Sequence, residues 1–538
     1  MNTQKSLLMI ATAFVLASCS SVSKVSKSSL DVAPSSYTSV GKLADDNLKT
    51  WPHESYSANL PGMNLGGAYD LLKKMKPKQK VIVGVIDSGI DINHEDLRNV
   101  VWTNPNEIAN NGIDDDKNGY VDDIHGWNFL GDVNHENLEY VRIYKTKDKN
   151  NTLFEKAKKM YEKEHNETLE EKAYMEQLYQ MILSADEVLA KELKKTNYTK
   201  SDLAQLKTSD DTIAQYVEFM QQMFNRVEDV NVLKSDFNNA AKYYDSKLKH
   251  HLNLNFHPRK TILKDDENDF SKKGYGNNNV IGPDLEESLH GTHVAGIIAA
   301  ERGNGIGIDG VANNVQIMAL RAVPDGDEYD KDIAFAIRYA ADNGAKVINT
   351  SFGKGLSPHK DKVYEAIKYA ASKDVLIVNA AGNDSKDIDV EDTYPNDEIN
   401  GKEISDNFLT VGALNYTFNE NLVASFSNFG KRNVDVFAPG VKIYAPTPDN
   451  NYKFLQGTSM ASPEVAGIAA LIRVYFPNLT AAQVKQVIMQ SGVKPNLEVK
   501  VGEGENKKKV PFSELSTSGT IVNARNAIIL AAKMSLRK

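Results

Sequence analysis

The stretch VIVGVID, residues 81–87, is an apolar run rich in β-branched residues that ends on an acid. Such a run predicts a strand that is buried on both faces of a sheet. Similar runs follow at 315–323, 345–353 and 375–383, and stretches with helical periodicity alternate with them, at 293–303, 331–344 and 361–374. This alternation predicts an α/β fold, with a mostly parallel sheet and helices on both faces. Because ligands bind at the carboxyl ends of strands in such sheets, Asp87 lies where chemistry is expected.

Three further polar residues lie near the ends of apolar runs. His293, in HGTHVAG, opens an apolar helix, and the near-neutral pKa of histidine suits a general base. His290 competes for this role, but small residues on both sides of His293 favour His293. Asn383 follows a strand, where its amide can donate to a developing oxyanion. Ser459, in GTSMASPEVAG, begins a helix, where free N–H groups also favour an oxyanion.

Four segments carry a family resemblance. VIVGVIDSGID, HGTHVAGIIAA, AAGN and GTSMASPEVAG closely resemble the signature segments of the subtilisin-like serine proteases, the subtilases, with Asp, His and Ser in the same order. The resemblance covers about 60–90 and 280–490, and SGTIVNARNAI at 518–528 looks like the closing helix of the family. It implies a subtilisin-like fold and a serine endopeptidase that cleaves polypeptides.

The resemblance also implies roles for single residues. Ser459 is expected to be the nucleophile, His293 the base and then the acid, and Asp87 the residue that orients the imidazole. Asn383 and the backbone N–H of Ser459 would form the oxyanion hole. His290 and Ser462 become structural. The residues expected to line the substrate cleft are Ser351, Phe352, Gly353, Ala381 and Gly382, of which 351–353 would pair with an extended peptide.

Some features depart from the family pattern. Asp87 and His293 lie much farther apart in the chain than the corresponding residues of compact subtilases. Glu464 stands where many members have histidine; in the first turn of a helix a carboxylate suits the dipole, so no loss of activity is expected. Residues 20–80 lack the strand and helix pattern of an inhibitory pro-domain, which argues against activation by removal of such a domain.

A composition shift marks a region that we interpret as an insertion. No glycine occurs between Gly131 and Gly274, and no proline occurs from Asp132 to His257. Apolar residues fall at helical spacing there, at Tyr174, Leu178, Met181 and Ala185. Residues of about 140–255 are therefore predicted to form a mostly helical insertion within a peptidase domain of residues 61–538. Its expected role is packing or spacing.

The first residues predict export. An apolar run follows Lys5 and is too short to span a membrane as a mature helix, which is typical of a signal peptide. LASC, residues 16–19, resembles a lipobox, and Cys19, the only cysteine of the chain, would then be lipidated. The protein is expected to be exported and lipid-anchored to a bacterial cell membrane, facing the periplasm or the exterior. Residues 20–60 are expected to form a flexible tether.

The stretch NGIDDDKNGYVDDIHGWNF, from residue 111, is dense in acids. Asp114, Asp116, Asn118 and Asp122 have the spacing of a calcium loop, with glycine at the position of the sharp turn. A histidine stands where an EF-hand has its final Glu, so a complete EF-hand is excluded, and a solvated acidic turn is the alternative. We predict a structural Ca²⁺ ion and no cofactor for the chemistry.

Composition limits the remaining functions. The chain has 63 basic and 72 acidic residues, a net charge of −9, and no basic stripe stands out, which argues against nucleic acid as a partner. One rival reading is a catalytically silent surface lipoprotein of subtilase fold that acts as a binding or scaffold module. Another is an interaction protein whose helical insertion is the working part. All four chemical positions are filled, which favours the hydrolase.

Overall fold

The computed structural model describes residues 21–34, 41–225, 227–504 and 507–537. The chain divides into two compact units, one of residues 135–257 and one of the residues on either side. None of the described helices is long and apolar enough to cross a membrane. The predicted signal peptide, including Cys19, lies outside the described residues.

The larger unit contains a seven-stranded sheet in which all neighbouring strands are parallel, in the order β2-β3-β1-β4-β5-β8-β9. The strands of the chain are β1 (Val81–Asp87), β2 (Gly126–Asn128), β3 (Val315–Arg321), β4 (Val347–Thr350), β5 (Leu376–Ala380), β6 (Glu398–Ile399), β7 (Lys402–Glu403), β8 (Phe408–Leu414), β9 (Val436–Pro439), β10 (Ile443–Thr447), β11 (Asn451–Leu455), β12 (Glu498–Val501) and β13 (Lys508–Pro511). The six strands outside the large sheet form the antiparallel pairs β6-β7, β10-β11 and β12-β13. The predicted α/β fold class is confirmed.

The α-helices are α1 (21–26), α2 (Asp45–Thr50), α3 (Leu65–Leu72), α4 (Glu139–Lys145), α5 (Phe154–Leu193), α6 (Lys200–Gln205), α7 (Asp211–Met223), α8 (Val230–Ser246), α9 (Leu289–Ala299), α10 (Asp330–Asp342), α11 (Lys360–Ser372), α12 (Thr458–Tyr475), α13 (Ala481–Ser491) and α14 (Ala524–Ser535). Single 3₁₀ turns lie at Trp51–His53, Tyr56–Ala58, Glu286–Ser288 and Phe512–Glu514, and π-helical turns at Lys247–His251 and Arg259–Leu263.

Two hydrophobic cores cover the two faces of the sheet. Successive side chains of a strand point to opposite faces. Val83 and Val85 accordingly belong to the core that contains α9 and α12, whereas Ile86 belongs to the core that contains α10 and α11. Strand order reverses at β1, which pairs with β3 on one side and β4 on the other. Asp87, the last residue of β1, therefore lies at the switch point, where open α/β sheets place their ligands.

The segment before the sheet is packed, contrary to the predicted tether at 20–60. Val22 and Val25 of α1 are buried in the main core, and so is Leu60. Trp51 is completely buried, and its indole Nε1 donates a hydrogen bond to the carbonyl oxygen of Val441 at 3.1 Å. These apolar residues are too sparse in the sequence to form a periodic pattern, but the tertiary fold supplies a surface that buries them.

Asp31 attaches the same segment to α14. Its carboxylate accepts hydrogen bonds from the side chains of Asn64 at 2.6 Å, Asn523 at 3.2 Å and Arg525 at 2.9 Å. Asn526 also bonds the backbone of Asp31, accepting from its N–H and donating to its carbonyl. A carboxylate with several charged or amide donors is a strong attachment point.

The smaller unit is a bundle of α4 to α8, and it occupies nearly the range predicted for the insertion. Ile182, Ala185 and Leu189 of α5 are completely buried in its core. Of the apolar residues whose spacing indicated a helix, Ala185 is buried, whereas Tyr174 is 61% exposed and Met181 is 45% exposed. The buried stripe of α5 therefore lies to one side of Tyr174 and Met181.

Candidate active site

Asp87 and His290 form an acid–base pair at the carboxyl end of β1. His290 Nδ1 lies 2.6 Å from Asp87 Oδ1, which also accepts a hydrogen bond from the N–H of Ser88 at 2.8 Å. Asp87 is buried, whereas 37% of the His290 side chain is exposed. Burial lowers the pKa of His290, but the charge and hydrogen bond of Asp87 raise it by more, so this pKa lies above its usual value. A buried carboxylate thus orients a histidine whose ring remains accessible.

His293 does not contact Asp87, and its prediction as the general base is wrong. Its ring is completely buried, and its Nε2 donates a hydrogen bond to the carbonyl oxygen of Lys453 at 3.1 Å. Burial lowers the pKa of His293 to about 4. The helix α9 begins at Leu289, so His290 lies in its first turn and His293 lies one turn deeper. His293 is therefore a packing residue, and His290 takes the position expected of the base.

Gly291 allows α9 to approach β1 closely. A Cβ atom on Gly291 would lie 2.1 Å from the carbonyl oxygen of Gly89 and 3.1 Å from the Cβ of Asp87. No residue with a side chain fits at that distance. Gly291, one of the small residues that favoured His293 in the sequence, therefore serves the contact between Asp87 and His290.

Ser459 is the second residue of α12. Its hydroxyl donates to the carbonyl oxygen of Ser351 at 3.1 Å, and the hydroxyl of Ser351 donates to the carbonyl oxygen of Ser459 at 3.0 Å. No hydrogen bond joins Ser459 to His290 in the described parts of the chain; such bonds often form only when substrate binds. Ser462 is completely buried and donates to Asn349 Oδ1 at 2.9 Å, as a structural residue would.

Asn383 is exposed beside the start of α12. Its Oδ1 accepts hydrogen bonds from the backbone N–H of Thr458 at 2.8 Å and from the Thr458 hydroxyl at 3.0 Å. The N–H donor fixes the orientation of the amide, because it requires the oxygen of Asn383 to face it. The Nδ2 group of Asn383 is then the end that remains to donate. An amide donor and the free N–H groups of a helix start together suit an oxyanion.

The segment after β4 contains the first three predicted cleft residues. Ser351 is buried, Phe352 is half-buried and Gly353 is exposed. Within the described residues, the backbone groups of Phe352 and Gly353 form no backbone hydrogen bond. They can therefore pair with an added extended strand.

Ala381 and Gly382, which are predicted to line the cleft, are fixed in place by backbone hydrogen bonds. The N–H of Ala381 donates to the carbonyl of Val411, and its own carbonyl accepts from Asn428. The N–H of Gly382 donates to the Thr458 hydroxyl at 3.0 Å, and its carbonyl accepts from the N–H of Asn428. These hydrogen bonds hold the end of β5 against the start of α12, and the lining of the cleft by Ala381 and Gly382 stays a prediction.

Glu464 is the seventh residue of α12, not a first-turn residue as expected, and it is buried. Burial raises its pKa, although His53 opposes the shift. His53 Nε2 lies 3.8 Å from Glu464 Oε2. The packed N-terminal segment thus supplies a histidine beside the carboxylate that stands where many subtilases have histidine.

The chain is similar to known proteins of one family. Residues 78–509 match the model of the subtilase family, described as Peptidase_S8. The chain belongs to the subtilase family. It is 41% identical over 211 residues to a thermophilic serine proteinase of Bacillus sp. (strain AK1), which covers 39% of this chain and 48% of that protein. It is also 39% identical over 197 residues to subtilisin DY of Bacillus licheniformis, covering 36% of this chain and 67% of subtilisin DY.

A third relative of this subtilase is subtilisin-like protease 1 of Plasmodium vivax, which is 31% identical over 300 residues and covers 52% of this chain and 46% of that protein. The subtilase thus spans about half the length of two of these three relatives.

The acidic loop of this subtilase contains a carboxylate cluster. Oxygen atoms of Glu107, Asp114 and Asp116 lie within 4.8 Å of one another. Glu107 Oε2 is buried and has no hydrogen-bond partner among the described residues. The Asp114 carboxylate accepts from the N–H groups of Asn118 at 3.0 Å and Gly119 at 2.8 Å, which closes the turn. Three carboxylates around a turn fit a hard cation such as Ca²⁺.

Of the four predicted ligands in this loop of the subtilase, Asp114 and Asp116 belong to the carboxylate cluster, and Asp122 is not among its members. The Asp122 carboxylate accepts hydrogen bonds from the N–H groups of Asn111 at 3.1 Å and Gly112 at 2.9 Å. Asn118 Oδ1 accepts from the N–H of Tyr120 at 2.8 Å. Asp114 and Asp116 are thus brought together with Glu107, which sequence spacing did not indicate, because Glu107 lies outside the alternating run.

Proposed function

We propose that this subtilase is a serine endopeptidase that hydrolyses polypeptides through an acyl-enzyme. The observation that carries the proposal is the contact between Asp87 Oδ1 and His290 Nδ1, at the sheet edge that also holds Ser459 and Asn383. A serine hydroxyl becomes a nucleophile only when a base takes its proton. His290 is accessible and oriented for that step, whereas His293 is buried.

The mechanism follows from the positions of these groups. Ser459 Oγ attacks the carbonyl carbon of the scissile bond and its proton passes to Nε2 of His290. Asp87 holds Nδ1–H of the ring and stabilises the imidazolium, which agrees with the raised pKa of His290. The imidazolium then protonates the leaving amine. Water then attacks the acyl-enzyme, with His290 again as the base. The carboxylic acid product is released, and Ser459 regains its proton from His290.

The oxyanion of the tetrahedral intermediate requires donors. Asn383 Nδ2 and the backbone N–H of Ser459 are suited to this role, because Asn383 Oδ1 is already engaged by Thr458. Loss of one such donor typically reduces kcat by about 10²–10³-fold. An extended polypeptide would pair with the backbone of Phe352 and Gly353, which places its scissile carbonyl near Ser459.

Active-site labelling tests the proposal. The fold described here begins at residue 21, so a chain beginning at Ser20 retains every described contact. We expect a fluorophosphonate probe to label this chain, and the Ser459→Ala and His290→Ala variants to lose labelling. Ser462→Ala is the matched serine control and should still be labelled. If the folded chain were not labelled with calcium present, either before or after limited proteolysis, the result would instead support the catalytically silent binding lipoprotein.

We propose that the protein is exported and anchored to a membrane through lipidated Cys19. The support is the LASC sequence after an apolar run, with the only cysteine of the chain at that position. Mass spectrometry of the N-terminal peptide from expressing bacteria tests this step. A diacylglyceryl adduct on Cys19 is expected, and an unmodified cysteine in the exported chain would contradict it.

We propose that the acidic loop binds a structural Ca²⁺ ion through Glu107, Asp114 and Asp116. The unpartnered, buried Glu107 Oε2 supports this, since a cation would satisfy it. Chelation should lower the Tm of the parent chain, and the Asp116→Asn variant should lose most of that calcium response. An equal response in both chains would contradict the assignment.

A further inference from the structure

A run of lysines follows α3, although no basic stripe stood out in the sequence as a whole. Lys73, Lys74, Lys76, Lys78 and Lys80 are all exposed. Five lysines within eight residues are a strong local excess in a chain whose net charge is −9. We call these lysines, together with Lys533 and Arg537 near the end of α14, the basic face.

Hydrogen bonds place both parts of the basic face at the same end of α12. The N–H of Lys78 donates to the carbonyl oxygen of Val474 at 3.0 Å. The hydroxyl of Ser535, between Lys533 and Arg537, donates to Asn478 Oδ1 at 2.9 Å. Val474 lies in the last turn of α12, and Asn478 follows that helix by three residues.

The candidate nucleophile lies at the other end of the same helix. Ser459 is in the first turn of α12, whose 18 residues span about 27 Å at 1.5 Å per residue. The basic face and the cleft therefore lie at opposite ends of α12. A surface bound to the basic face would leave the cleft open to solvent.

The acidic groups near this end of the sheet are already paired. Asp70 contacts Lys73 at 2.6 Å, and Asp374 contacts buried Arg473 at 2.6 Å. Asp342 contacts Lys373 at 3.2 Å. Of the basic groups in these three pairs, only Lys73 belongs to the basic face, which contains seven basic residues.

The start of the described chain limits how far the domain can stand from an anchor. Val22 and Val25 of α1 are buried in the main core. Cys19 precedes Ser21 by two residues, which can span at most about 7 Å. With a lipid on Cys19, as proposed above, this short link would hold the domain close to the bilayer surface.

We propose that the basic face binds the anionic headgroups of a lipid bilayer and directs the cleft away from the membrane. The lipid anchor of the proposed function supplies proximity, but binding by the basic face does not depend on hydrolysis. Clustered lysines bind anionic lipid surfaces through additive, salt-sensitive attraction. Because the basic face lies at the opposite end of α12 from the cleft, a membrane bound there would leave the cleft facing water. Polypeptides would then reach the cleft from the aqueous side.

Vesicle binding tests this proposal without the anchor. The chain beginning at Ser20 is sedimented with vesicles of phosphatidylcholine, alone or with about a third phosphatidylglycerol. We expect at least about tenfold tighter binding to the anionic vesicles, and the difference should disappear at high salt. The variant K73E/K74E/K76E/K80E should bind both kinds of vesicle equally weakly.

A matched variant controls for net charge. It reverses four exposed lysines of the helical unit, which are Lys156, Lys159, Lys207 and Lys242. This control has the same net charge as the first variant and should keep most of the preference for anionic vesicles. Equal losses in the two variants would overturn the proposal, as would binding of short duplex DNA as tight as that of anionic vesicles. Fluorophosphonate labelling of all three chains reports hydrolase chemistry separately, so failure of one proposal does not imply failure of the other.

Discussion

At the scale of single residues, two histidines on one helix have opposite properties. His290 contacts the buried carboxylate of Asp87, which raises its pKa, whereas burial lowers the pKa of His293 to about 4. Their chemical type and their motif are the same, and they lie three residues apart. The difference comes from which side of α9 faces β1 and which side faces β11. A histidine is a base only where its ring can reach both a carboxylate and the substrate.

The buried His293 predicts an acid-sensitive fold. Its ordinary pKa of 6.5 falls to about 4 in the folded chain. Below pH 6.5 the unfolded chain therefore binds a proton that the folded chain does not bind. The free energy of unfolding should fall as pH decreases from 6.5 to 4, by about 3 kcal/mol from this residue. Denaturant unfolding at several pH values measures this loss.

The control for this prediction is His293→Gln, which has no titrating group. Whatever its stability at pH 7, its unfolding free energy should decline less between pH 6.5 and 4 than that of the parent. Identical declines in the two chains would show that His293 does not have the lowered pKa.

At the scale of elements, strands were easier to predict than the segment that precedes them. Residues 81–87, 347–350 and 376–380 each contain a short apolar run, and such runs are the signal of a buried parallel strand. Residues 21–60 contain isolated apolar residues among serines, lysines and aspartates. Nothing local favours their packing, because Trp51 and Val22 are buried by elements that lie far along the chain.

Because Trp51 is buried, its substitution measures how much residues 21–60 contribute to the stability of the fold. Trp51→Ala should lower the free energy of unfolding by about 3–5 kcal/mol, because it leaves a large cavity and removes the hydrogen bond to Val441. Lys49→Ala, two residues away, removes an ion pair at 3.8 Å and a cation–π contact with Tyr444 at 5.2 Å, and should change stability by about 1 kcal/mol or less. Denaturant unfolding of the two variants measures the difference. If both variants lost similarly little free energy of unfolding, the segment would be a tether, as the sequence predicted.

The buried stripe of α5 gives a second prediction at this scale. Ala185 is completely buried, whereas Met181, four residues earlier, is 45% exposed. Ala185→Asp should destabilise the helical unit by several kcal/mol, because it buries a charge with no partner. Met181→Asp should cost less than about 1 kcal/mol. Helix content during thermal unfolding would show the two effects, and the reverse order would mean that the predicted face was right.

At the scale of the whole molecule, two compact units have separate cores. The core of the helical unit contains residues of α5 to α8, and the cores of the larger unit contain the sheet and its covering helices. The ends of the helical unit meet, because the N–H of Leu138 donates to the carbonyl oxygen of His251 at 3.2 Å. A long insertion can enter and leave a fold at one place without disturbing the strand order.

This geometry predicts that the insertion is dispensable for the chemistry. Replacement of residues 139–250 by a short Gly-Ser link should leave fluorophosphonate labelling of Ser459 close to that of the parent chain. Labelling per folded molecule is the measurement, with near-ultraviolet circular dichroism as the check on folding. A folded but unlabelled product would assign the insertion a part in the active site, and loss of binding to a partner with labelling intact would support the interaction-module view.

The sequence by itself determined the fold class, the order of the signature segments and three candidate residues, Asp87, Asn383 and Ser459. These follow from local signals, since apolar runs define strands and polar residues at their ends define one sheet edge. Only the tertiary structure decided between His290 and His293, added Glu107 to the acidic loop, and packed the N-terminal segment. Each of these depends on contacts between residues far apart in the chain. Side-chain environment, unlike strand periodicity, is set by which distant elements approach, and no local pattern contains that information.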